Sequence, residues 1–263
     1  MSVRACLVLA VAGLTTANLA ASDLPQIKAR GTLRVLVAAD EAPDMFSFVP
    51  EGRPGLEREM LEAFGRVHDV RLEIVPVPRF GDIIPKLLND EGDVIVGIID
   101  TPSRRETIDF TAETLPARHV AVTWAPNAPI MTVDELRQAR VGVIQGTSWA
   151  DAAHEAGVPT ANITPLADTP AVLDALRAGE IEATIMSVTD FALNQRAYGS
   201  LQGGVFLGKA GSAAWGVRKK DTALRAALNA YLQGLKRSQA WGYLAMKYFT
   251  PRSLTLMARA RRD

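Results

Sequence analysis

A side chain that must hold a carboxylate is best supplied by arginine, whose planar guanidinium offers a fork of donors matching the two oxygens. Arg104 stands where such a grip would be useful. It closes Thr101-Pro102-Ser103-Arg104, just after the apolar run Val94-Ile95-Val96-Gly97-Ile98. A surface ion pair with Glu106 or Asp109 would account for the same arginine, and Arg105 beside it is expected to be solvated. A second anion-friendly feature is Gln145-Gly146-Thr147-Ser148, between the apolar run Val141–Ile144 and a helical pattern starting near Trp149. The first N–H groups of a helix are unpaired and its dipole favours negative charge there. Thr147 and Ser148 add hydroxyls, although plain N-capping explains them equally well.

Other chemistries find little support. The three histidines, His68, His119 and His154, are scattered, and no Cys/His group has metal-ligand spacing. His119 lies near an expected inter-lobe strand and is read as structural. There is no serine nucleophile elbow, phosphate-cradling glycine loop or dinucleotide fingerprint, so no cofactor is expected. Glu57 and Glu59 fall at a helix start and look like dipole partners. The net charge of +0 gives no reason to expect nucleic acid as a partner.

The elements that must position these residues follow from hydrophobic periodicity. Leu33–Val37, Leu72–Val77, Val94–Ile98, Val141–Ile144, Ile181–Met186 and Ala214–Val217 read as short strands. Helical patterns lie between them: from Leu56 to Val67, Phe80 to Leu88, Trp149 to Ala156, Thr222 to Gln239 and Ala240 to Tyr248. Thr132 and Glu135 form a capping box, and Pro170 and Gly179 open and close a further helix. The alternation predicts an α/β protein with mostly parallel sheets, whose ligands bind at loops beyond the strand ends. With 263 residues, 48% of them hydrophobic, the chain can bury one large core or two medium ones. Residues 1–21 combine Arg4, an apolar run and small residues, as a cleaved secretory leader does. A periplasmic location follows. The only cysteine, Cys6, would leave with the leader.

Several segments together resemble the extracellular solute-binding proteins, family 3, known for serving ABC importers of amino acids. They are Ala29–Val35, Phe46-Ser47-Phe48, Gly55–Met60, Gly92-Asp93-Val94, Thr101–Arg104, Ile108–Thr111, Val141–Thr147 and Trp215–Lys219. The resemblance implies a type II periplasmic-binding fold: two α/β lobes joined by two crossing strands, with the ligand cleft between them. Lobe one would comprise 22–118 and 212–263, and lobe two 119–211. The crossings would fall near His119–Thr123 and Gly208–Ala214. By the same resemblance Arg104 grips the ligand carboxylate, Thr147 and Ser148 donate to it, and Phe46 packs on the ligand. Phe46 is equally readable as core. Gly97, Ile99 and Asp100 stand where amino-acid binders often carry serines, with Asp100 an added negative charge near Arg104. Ser187 occupies the place of the aspartate that pairs with a ligand ammonium, and Asp190 lies three residues on. The altered ammonium end points to a small carboxylate or other polar metabolite.

The implied function is capture by hinge closure, without catalysis, by a monomer serving an ABC permease or another periplasmic partner. A sensor or accessory role is the alternative. A third reading is a dehydratase of cyclohexadienyl acids, with Asp100, Glu113 or Asp190 as general acid. Lytic transglycosylases carry a similar lobe pair beside a catalytic domain, for which 263 residues leave no room.

Overall fold

The structure, a computed structural model, describes residues 23–39, 41–49 and 51–262. The expected leader at 1–21 lies outside them. The first sheet region is built from β1 (Thr32–Ala38), β2 (Arg71–Val77) and β3 (Val94–Ile99), with β1 parallel to both neighbours. The second is built from β6 (Val141–Ile144), β7 (Ile163–Leu166) and β8 (Ala183–Ser187), with β6 parallel to both neighbours. Two long strands join them, β5 (Leu115–Trp124) and β9 (Leu201–Arg218), paired antiparallel. The strand order is β2-β1-β3-β9-β5-β8-β6-β7, with β4 (Ile108–Phe110) also on β9. This curled α/β sheet, with two parallel wings joined by two connecting strands, is the type II periplasmic-binding fold.

Most helices follow their sequence signals. α2 (Leu56–His68) buries Leu56, Met60, Leu61 and Phe64. α5 (Val133–Gln138) has the expected capping box, with both the Thr132 and Glu135 hydrogen bonds formed. α7 (Thr169–Ala178) has Pro170 in its first turn and ends on Gly179 at φ 73°, a conformation that suits glycine. α6 (Ser148–Glu155) and α8 (Val188–Ala197) start at the strand ends that face the expected cleft. α9 (Thr222–Arg237) and α10 (Gln239–Tyr248) were also anticipated.

Three expectations need correction. The helix expected over Phe80–Leu88 is split into a 3₁₀ turn at Phe80–Asp82 and α3 (Ile83–Leu88). Pro85 is tolerated because it lies in the first turn of α3, where its missing N–H has no helical partner to lose. The strand expected at Ala214–Val217 is only the end of an 18-residue β9. Two short helices, α1 (Leu24–Arg30) and α11 (Pro251–Ala260), were not anticipated; α4 (Pro102–Arg105) is a single turn.

The start of α1 is tied to the start of α9. Asp23 accepts from Leu24 N at 2.8 Å to cap α1. The same carboxylate accepts from Ala223 N at 3.1 Å and Leu224 N at 2.7 Å, capping α9. Asp93, with no side-chain exposure, takes Arg30 at 2.5 Å and Arg34 at 2.8 Å. Among the described residues no helix is long and apolar enough to cross a membrane.

Candidate functional site

The loop after β3 is shaped around Arg104. Thr101 Oγ1 accepts from Arg104 N at 3.3 Å and caps α4. The side chain then turns back, and Nη1 donates to Ile99 O at 2.7 Å. Its guanidinium lies over the Phe80 ring, 5.3 Å from the centroid. Burial lowers the Arg104 pKa, with no carboxylate acting in the other direction. Two of the local acids are engaged elsewhere, and among the described residues Glu106 makes no ion pair with Arg104. Asp109 pairs with Arg225 and Asp100 with Arg105. The extra charge expected from Asp100 beside Arg104 is therefore taken up by Arg105, which is a partner and not merely solvated. Arg104 is half-buried and without an ion-pair partner among the described residues.

Gly97 and Ile99 lie on the same strand end. Gly97 N donates to Glu57 Oε2 at 2.8 Å. Gly97 has φ 65°, a backbone conformation that strains any residue with a Cβ, while the Glu41 carboxylate tip that a Cβ would meet can swing away. Glu57, expected as a dipole partner, stands in the first turn of α2. Its carboxyl is fully buried, held by Gly97 N and by Thr114 Oγ1 at 3.1 Å. Burial pushes its pKa up to about 7.

Phe46 does not line a cleft here. Its side chain is 0% exposed and packs in the main core with Leu56, Met60 and Phe64. The reason is local: the loop folds beneath α2, with Leu56 N donating to Asp44 O and Glu57 N to Met45 O. Phe80, which sequence reasoning placed in an ordinary helix, is 42% exposed and is the aromatic surface beside Arg104. The signal was present in its context, Arg79-Phe80-Gly81-Asp82, an aromatic among polar neighbours at the end of a strand.

The other wing gathers a second set of polar groups. Thr147 Oγ1 donates to Ile144 O at 2.7 Å and accepts from Trp149 N at 3.3 Å, so this hydroxyl is spent on capping α6. Ser148 is exposed, with Oγ 3.0 Å from His119 Nε2. His119 sits on β5 directly across from Ser187 on β8. Ser187 caps α8 through Asp190 N at 3.0 Å and donates to Asp190 Oδ2 at 2.6 Å. The carboxylate missing from position 187 is thus one hydrogen bond away. Burial pushes the Asp190 pKa up, against the pull of Ser187, Trp149 and His119. Burial lowers that of His119, opposed by Asp190, Glu155 and Asp151. The structure therefore brings together Gly97, Ile99, Asp100 and Arg104 on one wing, and Thr147, Ser148 and Ser187 on the other. Among the described residues no hydrogen bond or ion pair joins Arg104 to Thr147 or Ser148.

Of the three carboxyls a dehydratase could draw on, Asp100 is paired with Arg105, and Glu113 with Arg261 at 2.6 Å. No group of three or more histidine, cysteine, aspartate or glutamate residues suited to a metal occurs among the described residues.

Known proteins match this architecture. Membrane-bound lytic murein transglycosylase F of Stutzerimonas stutzeri (strain A1501) is 25% identical over 236 residues, covering 87% of this chain and 48% of that protein. The protein of the same name from Shewanella pealeana (strain ATCC 700345 / ANG-SQ1) is 24% identical over 222 residues, covering 82% and 46%. The chain spans about half the length of the curated relatives it matches. Among solved structures, an ancestral cationic amino acid solute-binding protein superposes with TM-score 0.76 at 25% identity, covering 86% of this chain and 99% of that one. Another structure of that ancestor, described as a precursor of cyclohexadienyl dehydratase, gives TM-score 0.70 at 25% identity, again over 86% and 99%. An amino acid ABC transporter substrate-binding protein from Streptococcus pneumoniae, bound to L-arginine, gives 0.68 at 23% identity over 86% and 96%, a likeness of fold. A sequence model of the family matches residues 33–251, and the chain belongs to the bacterial extracellular solute-binding proteins, family 3.

Proposed function

We propose that this protein captures a small, polar, carboxylate-bearing metabolite in the periplasm by hinge closure and presents it to an ABC importer. The observation that carries the reading is Arg104: a half-buried guanidinium, braced by Ile99 O and Phe80, with Asp100 and Asp109 committed to other arginines. Lobe one, 22–118 and 212–263, would dock the ligand first on Arg104 and Phe80. Lobe two, 119–211, would close with Ser148 at the start of α6 and the Ser187–Asp190 pair. Because Asp190 keeps a carboxyl beside Ser187, a ligand amine is accommodated as well as a ligand without one. Thr147 shapes the loop; its hydroxyl is already committed.

The test is a thermal-shift screen of the mature protein with amino acids, keto acids, dicarboxylates and murein fragments. Ligand at a hundredfold excess over its Kd stabilises the folded state by about 2.7 kcal/mol. A carboxylate that raises the midpoint in the wild type but not in Arg104→Ala supports the reading. No response to any carboxylate sinks it.

A second reading is a sensor or accessory role outside transport. It is favoured by the curated relatives, in which the matching unit makes up about half of a longer protein named as a transglycosylase. Stabilisation by murein fragments alone would favour it. Turnover of a cyclohexadienyl acid would overturn both readings.

A further inference from the structure

The contact between His119 and Ser148 joins a titratable ring to a hydroxyl at the start of α6. Ser148 Oγ and His119 Nε2 are 3.0 Å apart, and one proton lies between them. Which atom donates decides what Ser148 shows to its surroundings. If Nε2 is bare, Ser148 donates to the ring and presents only lone pairs outward, which repel a carboxylate. If Nε2 carries a proton, the ring donates, and the Ser148 proton is free to bond an anion.

We infer that His119 is a positioning residue that sets the donor direction of Ser148, so that capture of a carboxylate takes up a proton. The inference rests on the reading of the α6 start as a carboxylate site. The surroundings of His119 agree with it. Asp190 of α8 and Glu155 and Asp151 of α6 are the carboxyls whose charges act on the ring. Arg137 of α5 lines the same depression as His119 and Glu155; Phe206, Leu207 and Gly208 of β9 complete that wall without a titratable group. On the strand itself Arg118 is occupied with Gly208 O and Arg262 O. Burial keeps the free ring neutral at neutral pH. A bound carboxylate favours the protonated ring, so its pKa rises on binding. Affinity then increases as pH falls, by tenfold for each unit separating the bound and free values.

The first experiment needs no ligand. Ring ¹⁵N spectra of the wild type, which has three histidines in all, report the state of each nitrogen. His119 Nε2 is expected bare at pH 8, with a pKa below the usual value that moves in Ser148→Ala. A protonated Nε2 at pH 8, or a titration indifferent to Ser148→Ala, overturns the inference. The second experiment uses L-arginine and succinate as probes, with affinities measured by calorimetry from pH 5.5 to 8. The expected result is tighter binding at low pH, with the slope reduced in His119→Gln. Glu57 titrates in the same range, so the slope is read as the difference between wild type and variant. Equal slopes refute the role of His119 while leaving capture intact. Failure of both probes to bind at every pH removes the carboxylate reading and this inference with it.

Discussion

Replacing Glu57 with glutamine should change how stability depends on pH. The carboxyl is fully buried, and its pKa stands at about 7 against an ordinary 4.5. The folded state therefore holds the proton more tightly than the unfolded chain. The stabilisation is complete below about pH 4.5 and is lost as pH rises through 7. At about 1.4 kcal/mol per unit, the difference amounts to roughly 3 kcal/mol. The neutral acid also fits its partners. Gly97 N donates to one oxygen at 2.8 Å, the acid O–H can donate to Thr114 Oγ1, and Thr114 can pass its own proton to Ala213 O at 3.1 Å. Glutamine preserves the shape and both bonds, with its amide replacing the acid proton. Thermal melts of wild type and Glu57→Gln should agree near pH 5 and diverge by pH 8, the variant melting about 5–10 °C higher. Parallel pH profiles for the two proteins would refute the burial argument.

Arg104→Ala should weaken carboxylate binding about 10- to 100-fold, the loss of a charge-assisted bond, while leaving the melting temperature nearly unchanged. Arg104→Lys, which keeps the charge but not the fork, should recover only part of that in calorimetry. Asp93→Ala should cost about 3 kcal/mol in urea unfolding, because Arg30 and Arg34 lose a buried partner. Gly97→Ala should lower both the melting temperature and ligand affinity, since φ 65° strains any residue with a Cβ. An unchanged melting temperature in Gly97→Ala would show that the strand end relaxes freely.

The sequence made the wings of the sheet legible because β3 and β6 are continuous apolar runs, and β1 is one broken only by Arg34, with clear turns around them. Local caps were equally readable at Thr132, Pro170 and Gly179. β9 was not, because Gly203, Gly204, Gly208 and Gly211 interrupt its apolar pattern just where it crosses between wings. α11 carries its own signal, Thr250 before Pro251 and a Thr250–Ser253 capping box, which was passed over. At the site, residue type and loop position sufficed to single out Arg104 and the Gly-Thr-Ser turn. They could not decide which arginine Asp100 would choose, because Arg104 and Arg105 are adjacent and only the turn of α4 separates their directions. Nor could they rank Phe46 against Phe80. Both follow strands, and burial depends on the loop path beneath α2. The pairing of His119 with Ser148 is not legible in the sequence because the two are 29 residues apart, brought near by the β5–β8 pairing and the start of α6.

The pairing of β3 with β9 has a consequence for the order in which the molecule is assembled. β3 ends at Ile99, yet the residues that cover its open edge, Ala213, Ala214 and Gly216, are more than a hundred positions later. Until they are synthesised, β3 offers a row of unpaired backbone groups, a template for pairing with any other chain. The segment between, with β6, β7 and β8 and the helices that pack on them, has its own parallel strands in sequence order and can begin to collapse earlier. Asp23 likewise waits for Ala223 and Leu224, some two hundred residues on. A nascent chain of this topology leaves β3 and Asp23 without these partners until residues 213–224 have been made. Truncations that stop before residue 213 should accordingly aggregate, not fold as a smaller version of the protein.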